Sequence, residues 1–151
     1  HTSGKGGGIK FDHGSSIITN CIHQKGRTMA RHLLVVMTNP TDGREDEYND
    51  WYNDVHLDEV VKIPEFVSAQ RFKLADTQLK DILTPEERGD SKHGASHHRY
   101  LALYEIEAET STDAVQALRQ ARPNFQMTDA LSKELNVWVF SPITGVVKGT
   151  D

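Results

Sequence analysis

The segment Tyr48-Asn49-Asp50-Trp51-Tyr52-Asn53-Asp54-Val55-His56 gathers a histidine, two phenols and an indole, with the carboxylates of Asp54, Asp58 and Glu59 close by in sequence. A histidine in such surroundings can have its tautomer fixed and its pKa tuned for proton transfer near neutrality. Tyr52 or Tyr48 can donate a hydrogen bond to an oxygen on which charge develops, and Trp51 can face an apolar ring. The competing reading is that His56 packs at a helix end and bonds a backbone carbonyl.

Other polar residues are weaker candidates. His32 opens the first strand and alternates onto the face of Leu34 and Val36, where it approaches a pocket or closes the sheet edge. Arg71 can hold an anionic or carbonyl substrate, or pair with a helix carboxylate. Tyr104 can line the same pocket or pack in the core. His93, His97 and His98 cluster near Asp90, but their Ser- and Gly-rich loop has no recognised ligand spacing, so no metal site is expected. The chain carries no Gly-x-Gly-x-x-Gly loop, Walker-type loop, Gly-x-Ser-x-Gly elbow or His-Glu-x-x-His helix.

These residues must be positioned by elements the pattern makes visible. His32-Leu33-Leu34-Val35-Val36-Met37 is apolar on both faces and reads as a strand buried on both sides. Asn39-Pro40-Thr41-Asp42-Gly43 turns the chain into a helix from Arg44 to Ile63, which Pro64 ends. Tyr48, Trp51, Tyr52 and Val55 make one helical stripe, and His56 lies at its edge. Continued unbroken, that register would centre Glu59 on the apolar face. A kink or reset near His56 would instead give Leu57, Val60, Val61 and Pro64 their own face. Phe66 to Leu74 reads as a second strand and Tyr100 to Ile106 as a third, separated by a polar excursion over 77–99 in which Thr84-Pro85-Glu86-Glu87 starts a short helix. A helix capped by Ser111 or Thr112 runs through Ala121 and closes at Pro123. A short helix is expected over Met127 to Glu134, then a strand over Leu135 to Phe140. The order βαββαβ predicts an α+β, ferredoxin-like fold with a four-stranded antiparallel sheet.

Length and charge narrow the classes. The 151 residues fit one domain, read as 29–142, which starts at Met29 and ends before a tail over 143–151. Residues 1–28, rich in Gly, Ser, Lys and isolated His, read as a vector-derived leader. A net charge of -5, from 17 Lys and Arg against 22 Asp and Glu, offers no basic surface for nucleic acid. The longest strongly apolar run is Leu33 to Met37, far short of the ~20 residues that span a bilayer. Cys21 is the sole cysteine, which suits a soluble, cytoplasmic protein. Two helices cover only one sheet face, yet Leu33, Val35 and Met37 oppose Leu34 and Val36, and Trp138 and Phe140 oppose Val137 and Val139. A second copy of the sheet would cover the other face, giving a homodimer; in a monomer, the leader or the excursion must do it.

Trp51-Tyr52-Asn53-Asp54-Val55-His56-Leu57, Ile63-Pro64-Glu65-Phe66-Val67-Ser68-Ala69 and Arg71-Phe72 resemble the EthD-like families of the dimeric α/β-barrel superfamily, with Glu65 where glycine is usual. The resemblance extends more loosely from Ala30 to about Pro142. It implies a pocket between sheet and helices, with His56 near it. The superfamily includes cofactor-free monooxygenases, lactone isomerases, and polyketide cyclases and dehydratases, besides haem-using branches. The expectation is a cofactor-independent enzyme using His56 as general acid/base on a small aromatic, polyketide-like or lactone substrate. The alternatives are a non-catalytic dimer that binds a hydrophobic metabolite, and a haem-dependent oxidoreductase with His56 or His32 as axial ligand.

Overall fold

The computed structural model of the chain describes residues 28–91 and 94–150, so all of the leader but its last residue, with Cys21, and His93 lie outside the described residues. Four strands form one antiparallel sheet: β1 (Ala30–Thr38), β2 (Phe66–Lys73), β3 (Tyr100–Ala108) and β4 (Asn136–Phe140). Their spatial order is β2-β3-β1-β4, with both helical connections on one face, which is the ferredoxin-like arrangement. Strand β1 is central, and its β-branched and leucine side chains pair with β3 from Ala30↔Ala108 to Thr38↔Tyr100. Among the described residues no helix is long and apolar enough to cross a membrane.

The first connection is one helical run with a defect at its centre. Helix α1 (Glu45–Trp51) passes into a π-helical turn (Tyr52–His56) and then α2 (Leu57–Val61). The Leu57 amide bonds the Tyr52 carbonyl, so one residue is added to the turn. That insertion resets the register near His56, while Glu59 stays on the inner side with one oxygen sealed from solvent. Tyr48 and Trp51 are buried before it, Tyr52 within it, and Val60 and Ile63 after it. Val61 and Pro64 turn outward instead of joining the inner face.

In the excursion, short helices α3 (Leu79–Ile82) and α4 (Pro85–Arg88) bury no residue; Thr84 caps the second. Helix α5 (Ser111–Ala121) is the second connection, capped by the Thr110 hydroxyl, which accepts from the Asp113 amide. Pro123 does not stop the chain abruptly, because a 3-10 turn (Arg122–Asn124) continues the helix. The expected short helix over Met127 to Glu134 is absent. Its backbone groups bond elsewhere: Thr41 N–H donates to the Ala130 carbonyl at 2.6 Å, and Ser132 N–H to the Asn39 carbonyl at 2.9 Å. The segment therefore runs beside residues 39–41, with Ala130 fully buried.

The sheet's helical face carries the core, including Leu34, Tyr104 and Ile106 at 2 % exposure or less. Burying side chains of this size contributes roughly 1.5–3 kcal/mol each, so this face holds the fold together. On the other face Val35 pairs with both Leu103 and Trp138, and Leu33 with Phe140, yet Trp138 and Phe140 are each 57 % exposed. Nothing among the described residues covers that face fully.

Candidate active site

The π turn aims His56 inward, where its ring is held on three sides. It stacks on Trp51 with centroids 4.5 Å apart and planes 19° apart, and meets Tyr52 and Phe125 edge-on, each at 5.3 Å. Such contacts leave the imidazole little freedom to rotate. The alternative in which His56 merely bonds a backbone carbonyl is not what the geometry shows, because its Nδ1 is sealed from solvent without a hydrogen-bond partner. That atom faces Glu59 Oε1, equally sealed and unpartnered, at 3.7 Å. Burial lowers the His56 pKa below its ordinary 6.5, and the Glu59 carboxylate opposes that shift. The ring is thus neutral at pH 7 and able to accept a proton.

Two clamps fix this arrangement to the second half of the chain. The Gln126 amide donates to Glu59 Oε2 at 2.8 Å, and the Gln126 carbonyl accepts from Trp51 Nε1 at 2.6 Å. Gln126 therefore ties α1 and α2 to the segment after the 3-10 turn, and Phe125 is carried onto His56.

His56, Trp51, Tyr52 and Tyr104 all line one cavity of about 740 Å³ between the sheet and the helices. That volume suits a small organic ligand. Leu34, Val36, Val60, Leu118, Phe125 and Leu131 are among the residues of its apolar wall. The Tyr104 hydroxyl is buried without a partner. Burial and the neighbouring Tyr48 push Tyr52 up to about 12, and burial and Tyr52 push Tyr104 upward as well. Both phenols therefore remain O–H donors across the working pH range.

The remaining candidates fall outside this cavity. Tyr48 is fully buried and its hydroxyl bonds Thr38 Oγ1. Arg71 lies over the Tyr52 ring, 4.3 Å from its centroid, and donates to Asn49 and Asn53 at 2.9 and 2.7 Å. It braces the aromatic cluster from behind. His32 Nε2 donates to the Ala108 carbonyl at 3.2 Å, which leaves Nδ1 to accept from the Ser141 hydroxyl at 2.9 Å in the neutral ring. With both nitrogens committed, His32 does not fit an axial haem ligand, and His56 is the one histidine among the described residues on the cavity wall. Among the described residues no group of three or more His, Cys, Asp or Glu is placed to hold a metal ion.

Phe125, Arg119 and Arg122 also line the cavity, and nothing in the sequence pattern points to them. They come from the end of α5 and the 3-10 turn, far from His56 in the chain, and no local pattern marks them. No family model matches the chain, and the search of curated proteins finds no match either.

Proposed function

We propose that the protein is a cofactor-independent enzyme in which neutral His56 removes and returns a proton on a small aromatic, polyketide-like or lactone substrate bound in the cavity. The observation that carries this reading is the Nδ1 atom of His56 opposite Glu59, in a ring that lines an apolar, aromatic-walled space. Glu59 stabilises the imidazolium once a proton arrives at Nε2, the ring nitrogen that is not sealed. Tyr52, which lines the same space and whose hydroxyl is not sealed, then donates to the substrate oxygen that gains charge. Enolisation, isomerisation and dehydration share this proton transfer. The resemblance to EthD-like proteins supports the same assignment of His56.

The working unit under this reading is a homodimer. The open sheet face, with Trp138 and Phe140 exposed, and the tail residues Ile143, Val146 and Val147, each at least 88 % exposed, favour a second copy as the cover.

Proton exchange gives the direct test. Cyclic 1,3-diketones and γ-lactones are incubated with the protein in D2O, and loss of the proton next to the carbonyl is followed by NMR. The expected result is exchange above the buffer rate that falls ~10²–10⁴-fold in His56→Ala. Binding of these probes with exchange only at the buffer rate would instead establish a ligand-sequestering protein.

A further inference from the structure

Seven arginines lie among the described residues, and five are engaged by the protein itself. Arg31 pairs with Glu107, Arg44 with Glu47 and Asp129, and Arg99 with Glu45; Arg71 bonds two asparagines, and Arg88 the Leu83 carbonyl. Arg119 and Arg122 have no such partner among the described residues, and both line the cavity that holds His56. Among the described residues that line it there is no aspartate or glutamate.

The two cations are three residues apart, so they project from one side of the helical end, where like charges repel. The negative end of the α5 dipole offsets part of that repulsion. It does not require both side chains to stand on the cavity wall. Burial orders the cavity from outside to inside: Arg119 and Arg122 are exposed at its rim, whereas Leu34, Tyr52 and Tyr104 are each 2 % exposed at its floor. A ligand matching this gradient is apolar and oxygen-bearing at one end and anionic at the other. Guanidinium groups match a carboxylate in particular, because their paired N–H donors meet its two oxygens.

We propose that Arg119 and Arg122 form a carboxylate-binding rim, so that the substrate is an aromatic or polyketide-like acid which enters ring first and leaves its carboxylate at the surface. This deepens the reading of the cavity as a substrate site and rests on it. The arginines are binding residues and take no part in moving the proton.

The test uses the full chain with 2-naphthoate and its neutral methyl ester, followed by Trp51 fluorescence and by the Trp51 Nε1–H signal. The acid is expected to bind at least tenfold tighter than the ester at low salt. Raised salt should erode the preference, and Arg119→Gln with Arg122→Gln should reduce it to about twofold or less while ester affinity stays unchanged. Equal binding of acid and ester, or a preference that survives the double substitution, would overturn the inference and leave the His56 proposal standing. Binding of neither probe by the folded protein overturns the rim together with the cavity as an aromatic site. The His56→Ala exchange measurement then reports separately on proton transfer.

Discussion

His56 Nδ1 and Glu59 Oε1 face each other at 3.7 Å, both sealed from solvent and neither hydrogen-bonded. The distance exceeds a hydrogen bond, so the pair is held by charge alone and only once the imidazole gains a proton. Glu59 cannot drift far, because its other oxygen holds the Gln126 amide. Replacing Glu59 by Gln removes the charge that opposes desolvation, so the His56 pKa should fall further below 6.5. An NMR titration of the ring measures this directly, and an unchanged or raised pKa would count against the pairing.

The same depressed pKa sets a pH dependence of stability. Above the unfolded-state value of 6.5 the ring is neutral in both states and contributes no slope. As pH falls below 6.5 the unfolded chain takes up the proton first, so stability is lost until the folded-state pKa is passed. Thermal melts of wild type should therefore decline through this window, and His56→Gln should lack that component of the decline. Parallel curves for the two proteins would refute it.

Tyr104 and Tyr48 should respond oppositely to loss of their hydroxyls. Tyr104→Phe removes a buried group with no partner, so stability should stay level or rise by up to ~1 kcal/mol. Tyr48→Phe strands the Thr38 hydroxyl and should cost ~1–2 kcal/mol. Urea unfolding reads both. Neither hydroxyl meets the substrate, so proton exchange on the diketone and lactone probes should slow only in Tyr52→Phe.

Trp51→Phe keeps an aromatic face for His56 but deletes the donor to the Gln126 carbonyl. A stability loss of ~1 kcal/mol is expected, with faster amide exchange at Thr41 and Ser132, whose bonds hold the same segment. Protection at those amides equal to wild type would show that Gln126 is held without the indole.

The open sheet face can be tested by charge. Trp138→Asp places a carboxylate beside Val35, its partner across the strands, on the open face. Sedimentation should show wild type at twice the chain mass and the variant at the chain mass, with unchanged far-UV circular dichroism. A monomeric wild type would remove the homodimer from the proposal.

Much of this protein was legible in its residues. Two-faced apolar strands, the punctuation at Pro40, Pro64 and Gly43, and the stripe Tyr48-Trp51-Tyr52-Val55 carry the βαββαβ order, because burial period and backbone freedom are local properties of a chain. The misfit of Glu59 in an unbroken register even located the π turn. Tertiary structure alone decided which polar groups share a cavity. It withdrew Tyr48, Arg71 and His32 into bonds with Thr38, the asparagines, Ala108 and Ser141, and brought Phe125, Arg119 and Arg122 to the cavity of His56. It also replaced the helix expected over 127–134 with a segment that is not helical, since those backbone groups find partners at residues 39–41. Such partners are distant in sequence, and a hydrogen bond between distant residues leaves no periodic trace in either.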